Sequence, residues 1–117
     1  RGSLVIGKES GNGFTVLAGT SLEIPKQFAL EQNYPNPFNP STRFSVDIPK
    51  QANVDVVVYD ILGQKIATLF YGEKGPGYYT VEWNGMNDQN KIVSSGLYFI
   101  RMVSDQFTAV RKVMMMK

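Results

Sequence analysis

An all-β fold, either a sandwich or a barrel, is what this sequence predicts, on three observations. Apolar and polar residues alternate with a period of two through most of the chain, and the helical period is nearly absent. Turn-forming residues interrupt these runs about every 8 to 12 residues. The chain has 117 residues, of which 43% are hydrophobic, enough to build one core.

The elements follow in order. Residues 1–27 differ in texture from the rest. Leu4–Ile6 and Phe14–Leu17 are short strand-like pieces around Gly-Asn-Gly, and they read as the tail of a preceding module plus a tether, or as a hairpin. Arg1 in place of Met suggests a fragment, and Arg1-Gly2-Ser3 has the look of a cloning remnant. The run Asn33–Thr42 (NYPNPFNPST) has the composition of a linker, but it carries two large apolar side chains. Its prolines are expected to hold an extended entry, with Tyr34 and Phe38 anchored on the core. The flexible joint is expected earlier, near Gly19–Gln27.

Phe44, Val46 and Ile48 alternate with polar neighbours until Pro49 ends the strand. Val54–Asp60 is β-branched and alternates weakly, which suits a strand buried on both faces. Asp60, at the strand end, suits a side chain that bonds nearby backbone N–H groups, Leu62–Gln64 reads as a turn, and Lys65–Tyr71 as its hairpin partner. A helix across Asp60–Leu69 is the weaker reading, because Gly63 lies inside it. Gly72–Gly77 (GEKGPG) reads as a loop. Tyr78–Trp83 alternates with Tyr79, Val81 and Trp83 on one face, and Asn84–Lys91 is a polar turn. Gly96–Val103 and Phe107–Met116 are two further strands. In the last, Ala109, Arg111, Val113 and Met115 share one face, while Arg111 and Lys112 discourage edge-to-edge aggregation.

Composition removes several function classes. Twelve Lys and Arg oppose ten Asp and Glu without a block of one sign, so a phosphate-binding face for nucleic acid is not expected. No cysteine or histidine is present, which excludes disulfides, thiolate chemistry and His-dependent triads within the chain. No apolar run approaches the roughly 18 residues of a membrane span.

Asp47, Asp55 and Glu82 fall on polar strand positions and read as solvent-facing, not as a catalytic carboxylate pair. Nucleophile elbows, phosphate loops and dinucleotide fingerprints do not occur, so no enzyme activity and no cofactor are expected. Asn84, Asn87, Asp88 and Asn90 offer oxygens suited to calcium, but a single charge and turn-forming spacing favour a structural turn. Tyr34, Tyr71, Tyr78, Tyr79 and Trp83 are candidates for a carbohydrate platform. Against that, a lone sandwich Trp usually anchors the core.

Five blocks in order resemble a known family. Phe28–Thr42 is similar to the opening of the C-terminal sorting domain of proteins exported by the type IX secretion system (the Por system, type A signal). Val57–Ile66 resembles its YDILG hairpin, and Gly77–Gly85 its Trp-containing strand. Ser95–Phe99 resembles its Gly-x-Tyr box, and Arg111–Lys117 its terminal block, with methionines in place of leucines, a volume-conserving change. The chain also resembles the FlgD-like Ig-like superfamily of the flagellar hook-capping protein.

The resemblance implies an Ig-like antiparallel β-sandwich of about seven strands over residues 28–117, following a preceding module or linker at 1–27. It implies a non-catalytic signal that carries an N-terminally fused cargo through the periplasm and outer membrane to the cell surface or medium. The implied partners are the type IX translocon and a sortase-like peptidase. The recognition residues it transfers are Pro35, Asn36 and Pro37, then Gly96 and Tyr98, then Lys112 and Lys117. A non-catalytic sandwich for carbohydrate binding or adhesion is the alternative.

Overall fold

A computed structural model of the chain describes residues 24–116. The strand-like pieces at Leu4–Ile6 and Phe14–Leu17 and most of the expected joint lie outside these residues, as does Lys117. Among the described residues there are seven strands and no helix. They are β1 (Ala29–Leu30), β2 (Thr42–Ile48), β3 (Ala52–Tyr59), β4 (Lys65–Lys74), β5 (Gly77–Trp83), β6 (Gly96–Ser104) and β7 (Phe107–Met115). One sheet runs β1-β2-β5 and the other β4-β3-β6-β7, with every neighbouring pair antiparallel. The expected Ig-like sandwich is the observed one.

The period of two explains how the layers close. Phe44, Val46 and Ile48 of β2 and Val81 and Trp83 of β5 point inward from the smaller sheet. They meet Val54, Val56 and Val58 of β3, Tyr98, Ile100 and Met102 of β6, and Val113 and Met115 of β7. Each fully buried aliphatic side chain contributes about 1.5–3 kcal/mol relative to exposure. Trp83 lies at the centre, only 1% exposed, with ring centroids 5.2 Å from Phe38 and 5.4 Å from Tyr98. Its indole N–H donates to the Met86 carbonyl at 2.9 Å, so burial leaves no polar atom of the ring unpaired.

Three strand expectations need correction. β3 is buried on one face only, since Asn53 and Asp55 are exposed while Val54, Val56 and Val58 are buried. Its β-branched residues suit a pleated surface of either kind, so composition alone did not distinguish the two. β4 does not stop at Tyr71. It continues through Gly72 to Lys74, because β3 offers pairing partners there, with Gly72 opposite Val54 and Lys74 opposite Ala52. Asp47 is not solvent-facing but only 6% exposed, and it accepts the Ser45 hydroxyl at 2.9 Å. β2 is the central strand of the small sheet, and Asp47 is flanked on both sides, by Ala29 of β1 and Tyr78 of β5.

Candidate functional site

The proline-rich run and the last strand meet. β1 pairs antiparallel with β2, and the chain then crosses to the other sheet, where Phe38 forms a parallel bridge with Met115 of β7. One continuous segment therefore serves both sheets. The crossing bends at residues 35–37 and again at 39–40, so the run is not the extended entry its prolines suggested.

Backbone and side chains share the work of binding β7. The Phe38 N–H donates to the Met114 carbonyl at 2.9 Å, and the Met116 N–H donates to the Phe38 carbonyl at 3.0 Å. One turn of chain earlier, the Asn36 carboxamide takes the place of a peptide group. Its oxygen accepts the Met114 N–H at 2.9 Å, and its nitrogen reaches the Lys112 carbonyl at 3.4 Å. Gln32 Nε2 donates to that same carbonyl at 3.0 Å, and Arg111 Nε donates to the Leu30 carbonyl at 2.7 Å. β7 is the last strand of its sheet, so between Lys112 and Met116 this clasp covers what would be an open edge.

A buried polar knot fixes the crossing from inside. Asn33 is 4% exposed, and its Nδ2 donates to Thr42 Oγ1 at 3.0 Å and to the Pro35 carbonyl at 3.2 Å. The Thr42 hydroxyl donates to that carbonyl at 2.7 Å, and Asn33 Oδ1 accepts from Gln32 Nε2 at 2.6 Å. Phe38, 1% exposed, anchors the run on Trp83 as expected. Tyr34 does not. It is 80% exposed, because its backbone bridges to Arg43 and turns the ring outward.

The residues transferred from the resemblance separate into two groups. Pro35, Asn36, Pro37 and Lys112 are exposed and lie together at the clasp. Tyr98 is buried, packs edge-on against Trp83 and donates its hydroxyl to the Ser94 carbonyl at 2.7 Å, so its visible part in this structure is structural. Gly96 opens β6 opposite Met115 with a φ of +148°, a conformation that side chains rarely adopt. Gln32, Asn33, Thr42 and Arg111 were not among the recognition residues the sequence offered, and Arg111 was read only as an edge-protecting charge. Asn33 and Thr42 bracket the prolines and so left a local trace, but Gln32 and Arg111 act on segments about 80 residues away.

The other candidate chemistry resolves into turns and core. Asn87 Oδ1 accepts the N–H groups of Gln89 and Lys91, Asn84 Oδ1 accepts that of Met86, and Asp88 Oδ1 accepts that of Thr68. Asn90 supplies a positive φ of 63°. These oxygens hold the turn and tie it to β4. Among the five aromatic platform candidates, Trp83 is buried, Tyr79 packs on Phe70, Tyr78 is half-buried on β5 opposite Asp47, and the exposed Tyr34 and Tyr71 belong to different sheets. They form no common platform.

Comparison with known proteins places the fold. No curated protein matches the chain in sequence. A crystal structure of dimeric latent PorU from Porphyromonas gingivalis superposes with a TM-score of 0.61 at 18% identity, covering 86% of this chain and 10% of that one. PorZ of the same organism, described as an essential bacterial surface component of the type-IX secretion system, superposes at a TM-score of 0.48 and 20% identity, over 77% of this chain and 11% of that one. The chain thus spans about a tenth of either protein, and the PorU likeness is one of fold. The family model of the FlgD Ig-like domain matches residues 33–106, from the buried Asn33 to the β6–β7 turn, and the chain belongs to that family.

Proposed function

We propose that residues 28–117 form a non-catalytic sorting domain. It directs an N-terminally attached cargo through the type IX secretion system to the cell surface or medium, with residues 1–27 as linker or cargo tail. One observation carries the reading: the first and last of the five sequence blocks, far apart in the chain, are hydrogen-bonded into one exposed surface. Pro35, Asn36, Pro37 and Lys112 form its described part, and the translocon reads shape there instead of a deep cleft. Gly96 and Tyr98 support that surface from β6, and Lys117 is the remaining residue assigned to recognition. A sortase-like peptidase then acts on the domain as its substrate, or the domain stays attached.

The test fuses the 117-residue chain behind a periplasmic reporter carrying its own inner-membrane signal, in a bacterium that has the system. Reporter in the medium or on the surface is expected, and periplasmic reporter in a strain lacking the translocon. Retention in the periplasm of the competent strain defeats the proposal.

A further inference from the structure

The outer face of the four-stranded sheet departs from the polar pattern expected of an antiparallel sheet that faces water. Register places Tyr59 beside Phe99 and Phe99 beside Lys112, and in the next row Val57 beside Arg101 and Arg101 beside Val110. Leu97 opposite Met114 extends the patch at one end, and Val103 extends it at the other. Val110 is 47% exposed and Met114 37%, while Val57, Phe99 and Leu97 are half-buried outside the core.

Two cations sit within this apolar surface. Arg101 is exposed with its guanidinium 5.3 Å from the Tyr59 ring centroid, and Lys112 is exposed on the neighbouring strand. They are diagonal neighbours across the β6–β7 pair, about 7–8 Å apart by the geometry of such pairs. The acids on this face lie away from the pair, Asp55 a row away opposite Val103 and Glu73 beyond it opposite Asn53.

We infer that this face is a docking surface for a protein of the export machinery, one presenting apolar side chains around a carboxylate that fits between Arg101 and Lys112. The inference rests on the sorting reading and carries the recognised surface from Lys112 at the clasp across the outer face of the sheet to Arg101 and Val110, which lie outside the clasp. Charge and composition select the occupant. A second copy placed face to face would oppose its own cations. A sugar would need an open ring face beside the two cations, but there Arg101 covers Tyr59, and the exposed Tyr71 lies across the sheet on β4, opposite Asp55. Aromatic, Met and Arg side chains are those enriched in protein interfaces, and a guanidinium binds a carboxylate in a paired, directional way.

The experiment uses the same reporter fused to the whole chain. Arg101→Glu with Lys112→Glu should lower the exported fraction at least tenfold, and Val110→Asp alone should lower it measurably. Lys26→Glu with Lys91→Glu makes the same charge change on exposed residues off this face and should export as the parent does. Thermal melts of the purified chains establish that each variant is folded. If the double reversal does not fold, Arg101→Gln with Lys112→Gln replaces it. Failure of the unsubstituted chain to export overturns the sorting reading itself. Normal export of the folded face variants, or equal loss in the Lys26/Lys91 control, overturns the docking surface while leaving sorting intact.

Discussion

At the entry segment Gln32–Phe38, alongside the local bonds of Asn33, the side chains of Gln32 and Asn36 reach residues 76 to 80 positions away. At the hairpin tip Asp60–Gln64 the side-chain bonds reach two to four. There Asp60 Oδ1 accepts the N–H groups of Leu62 and Gln64, both at 2.9 Å, and two backbone bonds, Asp60 N–H to the Gln64 carbonyl and Gly63 N–H to the Asp60 carbonyl, complete the tip, leaving Ile61 and Leu62 exposed. Both stretches are conspicuous in the sequence as turn-rich motifs. One closes the whole sandwich and the other closes only itself. A similar look along the chain therefore conceals different reach, and substitutions should separate the two.

The largest effect is expected at Phe38. Phe38→Ala removes a ring that packs on Trp83 and should cost about 3–5 kcal/mol. Urea unfolding followed by Trp83 fluorescence reads this directly, and a loss below 1 kcal/mol would mean that the entry segment is dispensable to the core. Next comes Asn33→Ala, which leaves the Pro35 carbonyl and Thr42 with fewer partners in a buried site. About 1–3 kcal/mol should be lost, again by urea midpoint. No change there would show that water replaces the amide without cost.

Asn36→Ala is expected to cost about 0.5–1.5 kcal/mol, because its bonds to β7 are exposed. Its sharper signature is amide exchange. Met114 and Met116 should exchange faster, while Val56 and Val58 in the sheet interior keep their protection. Uniform acceleration across both sheets would argue against a locally opening clasp. The smallest effect belongs to Asp60→Ala, below about 1 kcal/mol, with faster exchange confined to Leu62 and Gln64. If that variant instead destabilises the domain as much as Asn33→Ala does, the contrast between the two motifs collapses.

Particular residues mark what was legible in the sequence. The inward sets Phe44/Val46/Ile48 and Val113/Met115 follow from a period of two, which is a local property of the chain. The Asp60 turn was readable for the same reason. Tyr34 and Phe38 look alike four positions apart, yet one is solvent-exposed and the other is in the core. The difference comes from the Tyr34–Arg43 bridge and the sheet crossing, which no local pattern encodes. Asp47 was misread because one of the strands that flank it, β1, has two residues and no periodicity to detect. At the candidate site, the resemblance pointed to Asn36 and Lys112 separately. That they touch is a fact of topology.

The crossing segment also has a consequence for timing. During synthesis Gln32, Asn36 and Phe38 are made 76 to 80 residues before Lys112, Met114 and Met116, which complete them. The clasp cannot assemble on a partial chain, and bringing its halves together closes a loop of nearly the whole domain. A truncated product would keep most of its strands yet lack the joined surface. The two ends of the domain thus act as a completeness check, satisfied only once the final strand has been delivered.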